Sequence, residues 1–161
     1  TIIGAKTKNQ LILGDKMKDL SDEFYACSDD GTLGFKGFVT DFLNNYINDK
    51  IKKTKEVQID RVIAIGPTLM MKYVCKVTKK FKIPTIVSLN SVMVDGTGMC
   101  GTCRVEVGDE TKFACVDGPD FDGSKVDFDL LLARQGYYGE EERQALEYWE
   151  KDKKCNCKKE G

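Results

Sequence analysis

Histidine is absent from the 161 residues. That excludes Ser-His-Asp and Cys-His catalysis, and any zinc or haem site ligated through imidazole. An excess of one charge is also absent: 25 Lys and Arg face 26 Asp and Glu, a net charge of -1. A nucleic-acid binder held by bulk charge would be basic, so that class is set aside. No apolar run approaches the roughly 20 residues of a membrane span. No basic stretch followed by an apolar one reads as a signal peptide. There is no G-x-G-x-x-G fingerprint, no internal repeat and no low-complexity tract.

What is present is one domain's worth of chain at roughly 150 residues per domain. Hydrophobic residues make up 41% and charged residues 32%, enough apolar material for a core without disulfides. Cysteine is frequent, odd in number and clustered: Cys27, Cys75, Cys100, Cys103, Cys115, Cys155 and Cys157. Without an export signal this points to metal or redox chemistry in a reducing compartment, the cytoplasm. Thr1–Ile2–Ile3 already reads as a strand, so the chain is expected to begin inside a larger protein.

The first half alternates strands and helices. Thr1–Gly4 reads as a strand and Lys8–Leu20 as a helix with a break at Gly14. Glu23–Ser28 reads as a strand and Asp29–Gly37 as a glycine-marked loop. Phe38, Phe42 and Tyr46 share a helical stripe with Val39, Leu43 and Ile47, which predicts a helix over Phe38–Asn48. Lys50–Gln58 is a polar connector. Arg61–Ile65 and Pro84–Leu89 are near-continuous apolar runs, the pattern of strands buried on both faces. Between them Thr68 is suited to cap a helix over Leu69–Lys80. The alternation predicts an α/β fold with a doubly wound parallel sheet.

Residues 91–123 hold six of the fifteen glycines and three of the seven cysteines, so this stretch is built from turns. Cys103–Val107 and Thr111–Cys115 predict a hairpin through Gly108–Asp109–Glu110. Helices are expected over Val126–Ala133 and Glu140–Lys154, the second with acids first and lysines last. The expected domains are 1–90, 91–123 and 124–161.

The sharpest motif is Asp95-Gly-Thr-Gly-Met-Cys100-Gly-Thr-Cys103 followed by Cys115, that is D-x4-C-x2-C-x11-C. The plant-type [2Fe–2S] pattern is C-x4-C-x2-C…C, with Asp in its first position here. Two irons need four anionic ligands gathered by a tight loop. Gly96, Gly98 and Gly101 let backbone N–H groups turn toward sulfur. A single C-x-x-C is also a zinc half-site or two thiols on a turn, and Asp-Gly is a common turn pair. Cys27 and Cys75 fit core thiols. Cys155-Asn-Cys157 lies in a Lys-rich tail, where thiols on a disordered segment or adventitious metal binding are expected.

Ligands of a parallel α/β sheet sit beyond the carboxyl ends of its strands. Those ends carry Asp29–Asp30, Gly66–Pro67–Thr68 and Asn90–Ser91. Gly66 and Thr68 would bring a helix N-terminus to a phosphate or an amide. Each is also an ordinary turn or a solvated loop.

The segments IGAKT, DDGTLGFKGFVTDFL, DRVIAIGPTLMMKYV and SLNSVMVDGTGMCGTCRVEVGDETKFACVDGPDFDG resemble the C-terminal part of a family of small flavin and iron–sulfur subunits. These serve NADH-dependent reduced ferredoxin:NADP+ oxidoreductases, also known as sulfide dehydrogenase or ferredoxin–NADP+ reductase alpha subunits. The electron-transfer subunit of dihydroorotate dehydrogenase is a close relative and the alternative assignment. The resemblance covers nearly all of residues 2–135. It implies a partial ferredoxin-reductase-type NAD(P)-binding domain, then a [2Fe–2S] loop and hairpin module, then C-terminal helices. An FAD-binding barrel and the opening strand of the nucleotide domain would precede residue 1. It assigns cluster ligation to Asp95, Cys100, Cys103 and Cys115, and matches Gly66-Pro67-Thr68-Leu69-Met70 to an element near the nicotinamide. Ile65 stands where the family usually has cysteine. The implied partners are a larger iron–sulfur flavoprotein subunit and ferredoxin. An edge left open by the missing strand invites a homodimer. The rival classes are a zinc-stabilised interaction domain and a nucleotide-sensing regulatory domain.

Overall fold

The computed structural model describes residues 1–56 and 59–156, with only the backbone of residues 54 and 152–156. In chain order the elements are β1 (Ile2–Ala5), α1 (Gly14–Asp19), β2 (Tyr25–Ser28), β3 (Phe35–Lys36), α2 (Val39–Thr54), β4 (Val62–Ile65) and α3 (Thr68–Lys80). They continue with β5 (Thr85–Ser88), β6 (Arg104–Val107), β7 (Glu110–Phe113), β8 (Asp120–Asp122), α4 (Phe128–Gln135) and α5 (Gly139–Asn156). The chain forms two compact units: Thr1–Val87 with Asp122–Ser124, and Ser88–Phe121 with Lys125–Gly161.

The first unit is mixed α/β. β1, β2 and β3 form a parallel sheet in that order, with Ile2 opposite Tyr25 and Cys27 opposite Phe35. The stripe expected on α2 is its inner face except at Phe38, which precedes the helix at the cap position and is exposed. Leu43 and Ile47 are buried. Phe42 packs against Tyr25 in a tilted arrangement and against Phe35 edge-on, at ring-centre distances of 4.9 and 5.4 Å. Such aromatic pairs add to the burial of their area. On α3 the buried residues are Thr68, Met71, Val74 and Thr78, spaced by three and four so that they share one face. Thr78 and Thr85 are both buried, and the Thr85 hydroxyl donates to that of Thr78 at 2.6 Å. Gly123 returns to this unit, its N–H donating to the Thr85 carbonyl at 2.8 Å. A Cβ on Gly123 would lie 2.5 Å from the Cys75 sulfur, so only glycine fits there.

Several elements depart from the sequence pattern. Lys8–Leu20 is not one helix: a 3-10 turn at Lys8–Gln10 precedes α1, and Leu13 has a left-handed φ of 57°. The Asp29–Gly37 loop contains the short strand β3, paired with β2. α2 runs on through residues of the expected connector Lys50–Gln58, whose Val57 and Gln58 lie outside the described residues. Lysines do not break a helix whose other face is packed. Thr68 does not cap α3; it is the first helical residue, buried, with Pro67 at the cap position. β4 is not buried on both faces: Ile63 and Ile65 are 65% and 73% exposed, and Ala64 alone of the strand is buried. The strands form two sheets of three, β1-β2-β3 and β4-β5-β8, with β1 and β4 as end members.

In the second unit β6 and β7 are antiparallel, Arg104 opposite Phe113 and Val107 opposite Glu110. The turn is therefore two residues, Gly108–Asp109, with Gly108 at a φ of 65° as such a turn requires. Asp127 caps α4, its carboxylate accepting from the Leu130 N–H at 2.9 Å. Phe128 and Leu131 turn inward. The Asp127 N–H donates to the Glu106 carbonyl at 2.9 Å, which ties the start of α4 to the hairpin. α5 has three glutamates in its first turn, as the dipole favours. Cys155 lies on α5, and Cys157 lies outside the described residues. No helix among the described residues is long and apolar enough to cross a membrane.

Candidate functional site

The hairpin builds the site. Its register continues one step past β6 and β7, where the Ala114 N–H donates to the Cys103 carbonyl at 3.1 Å. Beyond Ala114 the chain turns sharply. The N–H groups of Val116 and Asp117 both donate to the Phe113 carbonyl, and the Asp117 carboxylate accepts from the Phe113 N–H at 2.7 Å. This turn carries Cys115 back to Cys103, and the two sulfurs lie 3.2 Å apart. Cys103 is buried. The contact holds the Cys115 thiol above its ordinary range, because a proton shared with Cys103 favours the neutral form.

Asp95 and Cys100 form a second association. The Asp95 carboxylate accepts from the Thr97 N–H at 2.9 Å and from the Cys100 N–H at 3.0 Å. Those bonds lower its pKa, the Thr97 bond most. Hydrogen bonds from the Thr102 hydroxyl and N–H hold the exposed Cys100 thiol below its ordinary range. Gly96, Gly98 and Gly101 have φ values of 73°, 83° and 66°, the left-handed region that glycine enters freely. A Cβ on Gly98 would meet Val116 Cγ2 at 3.1 Å, whereas one on Gly96 would meet nothing within 4 Å.

The four residues thus fall into two pairs, Asp95 with Cys100 and Cys103 with Cys115. Among the described residues no three His, Cys, Asp or Glu side chains converge on one metal ion. Thiolates on one tetrahedral metal lie about 3.8 Å apart, given bonds of about 2.3 Å. A mononuclear site needs all its ligands at that spacing. A two-iron cluster takes its ligands two to each iron, and the donor set here, three thiols and a carboxylate in two pairs, fits that chemistry.

In the first unit, the sequence-selected residues lie at strand ends. Asp29 and Asp30 follow β2 and are exposed. Asp30 is engaged in its own loop: its carboxylate accepts from the Thr32 N–H at 2.9 Å and hydroxyl at 2.7 Å, and its pKa is lowered by those bonds. Ser28, which no motif singled out, closes the same loop through two hydrogen bonds with Leu33, at 2.7 and 2.9 Å. Gly66 has a φ of 155°, and a Cβ there would meet the Met70 methyl at 2.9 Å. Gly66, Pro67, Thr68 and Met70 therefore form one close turn at the start of α3. Cys27 and Cys75 are core thiols, pushed up to about 11 by burial. Two arginines that the cluster spacing does not reveal, Arg104 and Arg134, bond to carbonyls of the Cys100–Cys103 bend.

Residues 90–127 match the family described as the iron-sulfur cluster binding domain of dihydroorotate dehydrogenase B. An uncharacterized protein of Clostridium beijerinckii is 48% identical over 89% of this chain and 47% of its own length. A dihydroorotate dehydrogenase B (NAD(+)) electron transfer subunit homolog of Thermotoga maritima is 47% identical over 91% of this chain and 49% of its own. A solved structure described as giving insights into flavin-based electron bifurcation, that of an NADH-dependent reduced ferredoxin-NADP oxidoreductase, matches with a TM-score of 0.77 and 46% identity. That match covers 92% of this chain and 51% of the other. The chain thus spans about half the length of the curated relatives it matches.

Proposed function

We infer that this chain, a relative over most of its length of dihydroorotate dehydrogenase B electron-transfer subunits, is the nucleotide-facing and iron–sulfur part of the electron-transfer subunit of a flavin-dependent NAD(P)H oxidoreductase. The observation that carries it is the pairing of Asp95 with Cys100 and of Cys103 with Cys115 in a glycine-turned loop. A [2Fe–2S] cluster bound there would supply single-electron transfer, between an FAD served by NAD(P)H and a partner.

The chain's own residues hold and orient. Asp95, Cys100, Cys103 and Cys115 would hold the cluster. The left-handed glycines free backbone N–H groups to face the sulfurs. Gly66, Pro67, Thr68 and Met70 shape the N-terminal end of α3, whose positive dipole end suits a phosphate or the nicotinamide amide. Asp29 and Asp30 at the end of β2 lie where hydroxyls of a bound nucleotide would be met. FAD would be held by sequence outside this chain. The partners are a larger iron–sulfur flavoprotein subunit and ferredoxin, in the cytoplasm. Among the described residues β1 and β4 end their sheets, β4 with two exposed isoleucines, and a second copy of the chain would pair there.

The test is anaerobic purification with iron, sulfide and zinc analysis and EPR of the reduced protein. About two irons and two labile sulfides per chain are expected. A colourless protein with one zinc and no sulfide would make it a zinc-stabilised domain. NAD(P) binding by fresh anaerobic protein without iron would make it a nucleotide sensor.

A further inference from the structure

Two guanidinium groups approach the Cys100–Cys103 bend from outside it. Arg104 donates through Nη1 to the Gly101 carbonyl at 3.0 Å. Arg134, on α4, donates through Nη2 to the Thr102 carbonyl at 3.0 Å, 32 residues away in sequence. These are consecutive peptide groups. A trans peptide is planar, with its C=O and N–H pointing in opposite directions. A carbonyl held by an arginine therefore turns the next residue's N–H the other way. The Thr102 N–H, on the same peptide as the Gly101 carbonyl, therefore points away from the Arg104 guanidinium. Cys103 carries the N–H of the second peptide.

We propose that Arg104 and Arg134 are positioning residues for the cluster loop, holding the Gly101 and Thr102 carbonyls outward so that the Thr102 and Cys103 N–H groups face the ligand side. The proposal rests on the [2Fe–2S] reading above. Hydrogen bonds to ligand sulfur and nearby positive charge both favour the more negative, reduced state of a cluster. α4 thereby acts on the cluster without supplying a ligand. Its grip is fixed by the Asp127 cap and the buried Phe128 and Leu131. Arg134 also lines a cleft of about 350 Å³ with Arg104, Thr102 and Ser91.

The experiment is a redox titration of the full chain, loaded anaerobically and followed by EPR, for wild type, Arg104→Gln, Arg134→Gln and Arg134→Lys. Arg143→Gln serves as a charge control, since Arg143 pairs with Glu140 and Glu147 on α5. Both glutamine variants are expected to titrate at lower potential. At the wild-type midpoint their reduced-to-oxidised ratio should fall about threefold to tenfold, the worth of one modest hydrogen bond. Arg134→Lys should recover part of the shift, because an ammonium also donates to a carbonyl. Wild-type midpoints in both glutamine variants, or an equal shift in Arg143→Gln, would overturn the proposal. Where Arg134→Gln fails to load, Arg104→Gln decides, because Arg104 is exposed. Amide exchange at Thr102 and Cys103 in metal-free protein reads the clamp without a cluster. Faster exchange in the glutamine variants supports it and unchanged exchange overturns it. Wild type that binds no iron would instead refute the function proposed above.

Discussion

Gly96 and Gly98 differ by one geometric fact. Both have left-handed φ, 73° and 83°, but a Cβ on Gly98 would sit 3.1 and 3.3 Å from the two Val116 methyls, and one on Gly96 would meet nothing. Alanine in that region costs about 1–2 kcal/mol from backbone strain alone. It regains about 0.4–1 kcal/mol by restricting the unfolded chain. Gly96→Ala should therefore destabilise the metal-free protein by about 0–1.6 kcal/mol. Gly98→Ala carries the same backbone cost plus a steric one. Overpacking costs about 1–3 kcal/mol in cores. Val116 is 55% exposed and can yield, so the low end applies, giving about 2 kcal/mol in all. Val116→Ala removes the obstructing methyls. The double variant should return to within about 0.5 kcal/mol of Gly96→Ala, after allowing for Val116→Ala alone. Chemical denaturation of wild type and the four variants measures these differences, and iron retained after anaerobic gel filtration reports the loop. Equal costs for the two glycines, or no recovery in the double variant, would refute this packing of Val116 against the loop.

Asp95→Cys should still bind a cluster but move its midpoint potential, since a thiolate and a carboxylate donate differently to iron; an unchanged titration would remove Asp95 from the ligand set. Glu23 accepts hydrogen bonds from Tyr25, Tyr46 and Lys50, which together lower its pKa to about 2. Its stabilisation is complete above the ordinary value of 4.5 and is lost as the pH falls from there toward 2. Glu23→Gln should lower the melting temperature at pH 7 and flatten its fall over that acid window; a parallel fall in both proteins would refute the link.

The cluster motif was legible because ligand chemistry fixes residue type and spacing within one short loop. The hairpin was legible because alternation and a Gly-Asp turn are local. The alternating first half gave the α/β class for the same reason. Burial was harder to read. Arg61–Ile65 has the apolar run of an internal strand, yet Ile63 and Ile65 face solvent, because a run records what a strand can bury and not what lies beside it. Thr68 has the side chain of a helix cap, yet it is the first residue of α3 and packs inside the unit.

The sequence by itself determined which side chains could hold iron and roughly where the chain turns. Those properties reside in residue type and in separations of a few residues. Only the tertiary structure decided that Cys115 meets Cys103, that Gly98 must accommodate Val116, and that Arg134 reaches the Thr102 carbonyl from a helix 32 residues away. Such contacts depend on how the hairpin and α4 pack, and long-range packing leaves no periodic trace along the chain.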